Sequence, residues 1–407
     1  MRLPQDEPAR SQRLSIYEGL LAVPFINWST GMVTTGYALW MGADPLSLAI
    51  LGVLPMATQL VSPFGLFFRG SRKHLGTMLA TVGRLVFSLA LFLPLLEKQY
   101  QVPGLVIISL ISQLIQAPNG LLWTSWMADL VPEKERGKYF GFRNGLLGLE
   151  GTLGNLMAGA FIDHVGKPWG ILWVLFIGSI VGVLAVVVLR MQYEPPYVQP
   201  AIQFRDFFVP LRDRNFRGYL GFVVFFMGAV MIGGPFMVPI WLEYTKFSFA
   251  QVGLWGVISA SLGMVMSPLW GRLADRIGHM YVLLFTSIFA SFLPILTLIA
   301  NRQWTTPIWS SAVLDALAWG GLGTALMNQT LQASSAEKRN VYIALYSIAS
   351  GLAGLIGAFI GGWLGKLHIG ATPYHLPLEV SAILRFCAVG YLMWRLRREW
   401  QKRHSTE

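Results

Sequence analysis

The segment GRLADRIG, residues 271–278, joins two long apolar runs of the chain. Two arginines, one aspartate and two glycines occupy its eight positions. Charged side chains are concentrated where a chain leaves the hydrocarbon core of a bilayer, because charge is costly inside that core. The segment therefore predicts a short connection between two membrane spans.

The composition of the whole chain is that of a membrane protein. Of the 407 residues, 54% are hydrophobic and only 13% are charged, whereas soluble domains carry roughly 25% charged residues. The apolar residues occur in blocks of about 20, the length that a helix needs to cross a bilayer. The sequence predicts an all-α membrane protein with twelve transmembrane helices. We place them at 17–40, 45–67, 75–96, 103–129, 139–161, 169–190, 218–242, 250–270, 280–300, 306–330, 341–365 and 377–394.

Lysine and arginine are distributed unevenly over the two sides of this predicted bundle. An even number of spans puts both termini on one side, and that side receives 24 of the 31 basic residues, against five on the other side. By the positive-inside rule, both termini are expected in the cytoplasm, and the chain is expected in the inner (plasma) membrane of a bacterium. The net charge of +11 is thus a topology signal, and no nucleic-acid partner is expected.

Two landmarks recur in the two halves of the chain at nearly the same spacing. Ser62-Pro63 ends the second predicted helix, and Ser267-Pro268 ends the eighth, 205 positions later. The segments ERGKY (135–139) and KRNVY (338–342) align at a shift of 203. Landmarks that recur at one spacing indicate a duplicated six-helix unit.

The longest connection lies between the sixth and seventh predicted helices and divides the chain. It is rich in proline and then in aromatic and basic residues, a composition suited to the surface of a bilayer. We predict an N-terminal six-helix bundle over 1–193, a cytoplasmic linker over 194–217, and a C-terminal six-helix bundle with a basic tail over 218–407.

Polar side chains recur at helical spacing in the first and fourth predicted helices, and a carboxylate lies in the tenth. A face exposed to lipid would not carry amides or a carboxylate, since each is costly in hydrocarbon. The pattern predicts the lining of an internal cavity, with ordinary hydrogen bonding between helices as the alternative. The predicted lining residues are Asn27, Thr30, Thr34 and Tyr37 in the first helix, Gln113, Gln116, Asn119, Trp123 and Trp126 in the fourth, and Asp315 and Trp319 in the tenth.

The seventh predicted helix has a different character. It is aromatic and rich in methionine, and it contains Pro235 and Pro239, which remove backbone donors and bend a helix. We interpret this pair as a hinge. A cavity with a polar N-terminal wall and an apolar C-terminal wall favours an amphipathic organic solute over an inorganic ion.

Charged residues inside the spans are candidates for a function, because they are costly in the bilayer. An unpaired carboxylate in a medium of low dielectric constant can take up and release a proton at physiological pH. The candidates for proton coupling are Asp315 and Glu150, with Arg143 on the same face as Glu150. A structural ion pair of Glu150 with Arg143 or Arg84 is the alternative. Arg84 and Arg385 are interpreted as structural.

The segment 271–278 resembles the G-x-L-A-D-R-x-G loop of the major facilitator superfamily, between its eighth and ninth helices. Twelve helices, a repeat of six, cytoplasmic termini and the segment DLVPEKERGKYFG after the fourth helix are similar to that superfamily as well. The resemblance implies two pseudo-symmetric six-helix bundles. It also implies transport by alternating access, through a central cavity lined by the first, fourth, seventh and tenth helices.

We call residues 271–278 the gate motif. Gly271 and Gly278 permit a turn too tight for most side chains. Asp275 can cap a helix or face the positive end of a neighbouring helix, and Arg272 and Arg276 can reach acidic groups or lipid phosphates. The motif is expected to stabilise the state that is closed to the cytoplasm. A short polar turn that obeys the positive-inside rule is the alternative.

The corresponding loop of the first half departs from this pattern. Gly70 occupies the position of Asp275, and Leu66 and Lys73 occupy the positions of the two glycines. Either the first half is held by other contacts, or one charged motif suffices.

The sequence thus predicts a secondary active transporter for a small organic solute, driven by protons. A passive facilitator or lipid-moving protein is one alternative, and a non-transporting receptor or assembly partner is another. No enzymatic activity, cofactor or metal site is expected, because the six histidines and the single cysteine form no ligand or catalytic pattern. The chain is expected to be a monomer.

Overall fold

The protein is helical throughout the part of the chain that the structure describes. This computed structural model describes residues 6–67, 70–196, 210–332, 339–367, 369–370 and 372–404. The predicted all-α fold is confirmed. The middle of the predicted linker, 197–209, and Lys338 of the KRNVY segment lie outside the described residues.

The first half of the chain forms six helical spans, numbered α1 to α6. Their bounds are Asp6–Thr30 and Met32–Trp40 for α1; Pro45–Ala57 with the 3-10 turns Thr58–Leu60 and Ser62–Phe67 for α2; Arg72–Ser88 with the 3-10 turn Leu89–Leu95 for α3; Lys98–Leu130 for α4; Arg136–Val165 for α5; and Trp169–Arg190 for α6. The predicted start of α1 at residue 17 is wrong. The apolar run marks where the helix enters the bilayer, whereas the polar residues before it are helical as well.

The second half forms six further spans, α7 to α12. Their bounds are Arg214–Gly233, the 3-10 turn Gly234–Phe236 and Met237–Glu243 for α7; Phe249–Ile277 for α8; His279–Ile299 for α9; Thr306–Gln332 for α10; Arg339–Gly365 for α11; and His375–His404 for α12. The twelve-helix prediction is confirmed. Among the described residues, ten of the spans are long and apolar enough to cross a membrane; α1, which Gly31 interrupts, and α10, which carries Asp315, are the other two.

The gate motif is helical rather than a loop. Helix α8 continues through Ile277, so that Gly271 lies inside it and the turn consists of Gly278, which has a φ of 94°. The prediction that both glycines form the turn is therefore wrong for Gly271. The polar end of α8 keeps its backbone hydrogen bonds by remaining helical, and a single residue with positive φ, which glycine adopts readily, suffices to start α9.

Two spans are interrupted where their sequences weaken the helix. In α1 the break is at Gly31, a residue of low helix propensity whose backbone is extended (φ −103°, ψ −144°). In α7 the 3-10 turn Gly234–Phe236 contains Pro235, and Pro239 follows in the next helical segment. The ring of Pro235 packs against Gly52 of α2, where a Cβ atom would lie 2.8 Å from the proline Cβ.

The chain forms two compact units. Unit 1 contains Met1–Ala43, Thr58–Ile202 and Ser248–Gly253, and unit 2 contains Asp44–Ala57, Gln203–Phe247 and Leu254–Glu407. The beginning of α2 thus groups with the second half, and the beginning of α8 groups with the first half. The division into bundles at 1–193 and 218–407 stays a prediction.

Glycines allow close helix packing inside each unit. In unit 2, Gly357 of α11 lies against Gly228 of α7, and a Cβ atom at Gly357 would overlap the Gly228 carbonyl. In unit 1, Gly159 of α5 lies equally close to the backbone of Phe249 at the start of α8. Small residues at such contacts let backbones approach closely, which is how helices associate in lipid.

Candidate functional site

The break at Gly31 separates the polar residues of α1 into two pairs. Asn27 donates to the Gly151 carbonyl of α5 (3.4 Å), and Thr30 donates to its own helix at Ile26 (2.7 Å). Beyond the break, Thr34 and Tyr37 are almost completely buried, and their hydroxyls donate to backbone carbonyls, that of Tyr37 to Ala90 of α3 (2.9 Å). Both hydroxyls are occupied inside unit 1.

The amides of α4 lie along its contact with α3. Gln116 donates to Ser112 one turn earlier, and its side chain lies against Gly83. Asn119 lies against Gly76, where its Oδ1 atom is 2.9 Å from the position of a Cβ atom. Gln113 is half-buried. The helical spacing of these amides is therefore explained at least in part by packing against the glycines of α3.

The two tryptophans of α4 have different environments. Trp126 is 1% exposed, and its indole nitrogen donates to the Tyr193 carbonyl (2.9 Å). It belongs to a core cluster with Met127, Leu130 and Leu189. Trp123 is half-buried, and its indole N–H is buried without a hydrogen-bond partner among the described residues.

The guanidinium of Arg143 forms a buried cluster on α5. It lies over the Trp123 ring, 4.2 Å from the ring centre, a cation–π geometry. One nitrogen donates to the Ser15 carbonyl (3.2 Å), and another lies 3.5 Å from a carboxylate oxygen of Glu18 on α1. Arg143 thus pairs with Glu18, and the alternative pairing with Glu150 is wrong, because Arg143 faces α1.

Glu150 is a half-buried carboxylate of α5 that forms no ion pair among the described residues. One of its oxygens, Oε2, is buried and forms no hydrogen bond within the same part of the chain. Arg84, the other proposed partner, donates to the Gly182 carbonyl of α6 and lies 5.6 Å from the centre of the Phe25 ring. Glu150 is therefore paired with neither arginine.

Asp315 lies on α10 and is bonded to a neutral group. Its Oδ2 atom accepts a short hydrogen bond of 2.5 Å from the Ser259 hydroxyl of α8. The buried Arg385 of α12 acts on it electrostatically, but all three guanidinium nitrogens of Arg385 donate elsewhere, to Ser381, Ala290 and Val230. Trp319, one turn further along α10, is 39% exposed.

The charged side chains of the gate motif are solvated. Arg272, Asp275 and Arg276 are all exposed. Within the described part of the chain, Asp275 forms no ion pair or hydrogen bond, and it lies in the last turn of α8 rather than at a helix start. It is available for a partner outside these contacts.

The first half has a charge cluster of its own at the beginning of α3. Arg72, 3% exposed, contacts Asp129 at the end of α4 (2.6 Å) and Glu194 after α6 (3.7 Å). Glu194 also accepts hydrogen bonds from the Ser71 hydroxyl (2.5 Å) and the Arg72 backbone (2.7 Å). The first half therefore has other contacts of its own, which is the first of the two alternatives given for its missing charged motif.

Two acidic residues accept hydrogen bonds from the starts of helices on the side of the spans opposite to the Arg72 cluster. Asp163, at the end of α5, accepts hydrogen bonds from the backbone of Phe249 (3.0 Å) and Ala250 (2.7 Å) at the start of α8. Asp44 caps α2 through Ser47 and contacts Lys366 after α11 (2.9 Å). Burial raises the pKa of Asp44, but the hydrogen bonds from Ser47 and Lys366 outweigh it and leave the pKa below its usual range.

The sequence reasoning missed Glu18, Asp44, Asp129 and Asp163. Glu18 was missed because α1 was expected to begin at residue 17, which places Glu18 at the very start of the span, where a charged residue is ordinary. A signal was available for Asp44, since an aspartate followed by proline is a common start of a helix. Asp129 and Asp163 act on residues distant in sequence, and no local pattern reveals such partners.

The residues for a metal site are not brought together. In the described ranges, no group of three or more His, Cys, Asp or Glu side chains is placed to hold a metal ion. Of the carboxylates inside the spans, Glu18 pairs with Arg143, whereas Asp315 and Glu150 form no ion pair within the described ranges.

The fold and these intramembrane polar groups define the class of a polytopic helical membrane transporter. The sequence model of the Major Facilitator Superfamily matches residues 19–358 and, in a second overlapping match, residues 223–404. The chain belongs to the Major Facilitator Superfamily. It is a membrane transporter and not an enzyme, which confirms both predictions.

Solved transporters share the fold at low sequence identity. A point mutant of the nucleoside transporter NupG is 14% identical with a TM-score of 0.74, over 94% of this chain and 98% of that one. An auto-inhibited peptide transporter of the POT family is 11% identical (TM-score 0.75; 96% and 97% covered), and a bacterial homologue of the iron transporter ferroportin is 13% identical (TM-score 0.73; 95% and 98% covered). No curated protein sequence matches the chain. At these identities the likeness concerns the fold alone.

Proposed function

We propose that the protein is a proton-coupled secondary active transporter, which moves a small amphipathic organic solute by alternating access. We place it in the inner membrane of a bacterium, as a monomer with both termini in the cytoplasm. The observation that carries this proposal is the pair of intramembrane carboxylates, Glu150 and Asp315, neither of which forms an ion pair among the described residues.

Proton coupling requires a carboxylate that can be charged in one state and neutral in another. A carboxylate beside a guanidinium, such as Glu18 beside Arg143, is already engaged in an ion pair and is less suited to this role. Among the described residues, Asp315 accepts its hydrogen bond from a serine hydroxyl, which can hydrogen-bond to either form of the acid. We therefore assign the coupling proton to Asp315, with Glu150 as a second proton site.

A pathway for the solute is part of the same proposal. The half-buried Asn27 and Gln113 and the exposed Trp319 have side-chain surface left for a solute, whereas Thr34 and Tyr37 do not. The aromatic and methionine-rich α7 supplies an apolar wall, and its break at Pro235 supplies a hinge. A solute with both polar and apolar parts suits such surroundings.

The gate motif would close the cytoplasmic side of this pathway. Asp275 is exposed and without an ion pair in the described part of the chain. A carboxylate in that position can stabilise the inward-closed state by approaching the positive end of a neighbouring helix, which is worth about 0.3–1 kcal/mol for exposed groups. This contact must break when the cavity opens to the cytoplasm.

The test is transport by purified protein in liposomes. Candidate solutes are first screened by thermal shift, beginning with a nucleoside and a dipeptide, because two structural neighbours are named as transporters of nucleosides and of peptides. A solute that binds is then added to liposomes that hold a pH-sensitive dye under an imposed pH gradient. We expect the gradient to be dissipated only when the solute is present.

The substitution Asp315→Asn tests whether Asp315 carries the coupling proton. The variant is expected to exchange labelled solute across the membrane while losing the dependence of uptake on the pH gradient. Glu133→Gln, at an exposed position between α4 and α5, serves as the matched control and should behave like the unaltered protein. Unaltered pH dependence in Asp315→Asn would remove the assignment. Solute uptake that ignores the gradient in the unaltered protein would indicate a passive facilitator instead.

A further inference from the structure

A basic groove lies between the beginning of α3 and the end of α6, within unit 1. It has a volume of about 520 Å³. The walls are formed by residues of α3 from Lys73 to Val82, and Arg190 closes the groove at the last residue of α6. None of the residues discussed for transport lines it.

The groove carries two cations, Lys73 and Arg190. Lys73 lies in the first turn of α3, and the Arg190 guanidinium donates to the Thr81 hydroxyl two turns further along that helix (3.5 Å). No lining residue is acidic. A neighbouring carboxylate, Glu194, is engaged by the Ser71 hydroxyl and by Arg72, which partly offsets its charge. The groove is therefore complementary to an anion.

The groove also has an apolar part. Met78 and Val82 project into it and are 46% and 43% exposed. Both follow Lys73 along the same helix, and at 1.5 Å per residue the groove extends about 13 Å from Lys73 toward the bilayer interior. A ligand that fills it must therefore combine an anionic group with an apolar part.

The corresponding groove of unit 2 has less positive charge, so the two cations are a specific feature of the groove in unit 1. It lies between α9 and α12, has a volume of about 320 Å³ and is lined by Tyr281, Leu284, Met393, Leu396 and Arg397. Its position in the repeat is equivalent, but it has one cation instead of two. At the alignment shift of 203, Met393 stands where Arg190 does.

We propose that the groove between α3 and α6 binds the headgroup of an anionic phospholipid. The phosphate is bound by the two cations of the groove, Lys73 and Arg190, and the beginning of an acyl chain lies along Met78 and Val82. Basic pockets between transmembrane helices on the cytoplasmic side bind such headgroups, because the phosphate loses little solvation at the membrane surface. The site depends on the orientation of the spans and is independent of the transported solute.

The experiment is native mass spectrometry of the full chain released from nanodiscs. The nanodiscs contain phosphatidylcholine and phosphatidylglycerol in equal amounts. We expect the unaltered protein to retain one phosphatidylglycerol preferentially. The double variant Lys73→Gln/Arg190→Gln is expected to bind it about thirtyfold more weakly, from the loss of two cations near the membrane surface.

Two controls make the result specific. Arg397→Gln removes the cation of the groove in unit 2 and should leave the retained lipid unchanged. Lys73→Arg/Arg190→Lys preserves the charge and should restore retention, which separates a charge effect from misfolding.

Three outcomes would overturn the proposal. The first is equal retention of both lipids by the unaltered protein, and the second is unchanged retention by the double glutamine variant. The third is displacement of the lipid by an excess of inorganic phosphate, which would show a site for free anions.

Discussion

Replacement of Glu18 by glutamine is expected to destabilise unit 1 strongly. Glu18 is 6% exposed, and its carboxylate lies 3.5 Å from the Arg143 guanidinium. Arg84, which is 4% exposed, also interacts with it electrostatically. Among the described residues, Glu18 is thus the counter-charge for two buried arginines. Glutamine has nearly the same shape but leaves both cations without compensation.

The magnitude follows from the burial of this cluster. Removal of one partner from a buried ion pair costs about 3–5 kcal/mol, because an uncompensated charge remains. We expect the lower limit of this range, because the contact between Glu18 and Arg143 is long, at 3.5 Å. The arginines also have other partners, since Arg143 lies over the Trp123 ring and both arginines donate to backbone carbonyls. For a unit of this size, about 3 kcal/mol corresponds to a fall of roughly 6–12 °C in Tm.

Thermal unfolding of the purified protein in detergent, followed by intrinsic tryptophan fluorescence, measures this effect. Glu133→Gln is the control, since it makes the same chemical change at an exposed position. A Glu18→Gln protein that melts within about 2 °C of the control, well under the fall expected for 3 kcal/mol, would refute the reasoning. It would mean that water reaches the cluster or that carbonyl groups alone satisfy the arginines.

Three further outcomes are expected. The pKa of Asp44 is lowered in the folded state, so its contact with Lys366 stabilises the protein at neutral pH. This stabilisation is lost as the pH falls through the folded-state pKa. When Tm is measured against pH, the unaltered protein should therefore show an acidic step that Asp44→Asn lacks. Asp163→Ala should lower stability by about 1 kcal/mol through loss of the α8 cap, as measured in denaturant, with a neutral result contradicting the cap. Asp275→Asn should raise the inward-open population, seen as faster cysteine labelling from the cytoplasmic side; unchanged labelling and transport would contradict the gate role.

The twelve spans could be predicted because the free energy of membrane insertion is a local property of about 20 residues. The same locality explains the errors at helix ends. Hydropathy detects where the chain enters lipid, but α1 begins at Asp6 and α8 continues through the gate motif. Backbone hydrogen bonding determines those boundaries, and it continues into polar sequence that a hydropathy pattern assigns to loops.

The interruption of helices could be predicted only where a residue type forces it. Two prolines in α7 indicated a bend, and the structure has a 3-10 turn at Gly234–Phe236. The break at Gly31 of α1 had no comparable signal, because isolated glycines occur in many uninterrupted membrane helices. The four polar residues of α1 were predicted to share one helix face. The break divides them into Asn27 and Thr30 before Gly31, and Thr34 and Tyr37 after it.

The charged residues within the spans show most clearly what a sequence can reveal. Arg84 on α3 donates to the Gly182 carbonyl of α6, and Arg385 on α12 donates to the Ala290 carbonyl of α9 (2.7 Å). At the repeat shift of 203, Gly182 corresponds to Arg385. Both halves therefore use the same link between equivalent helices, with the arginine on opposite partners. Sequence comparison of the halves could not find this link, because the acceptors are backbone carbonyls, which every residue has. Their positions also differ, since Gly182 is equivalent to Arg385, whereas Ala290 lies three residues after Ser287, the equivalent of Arg84.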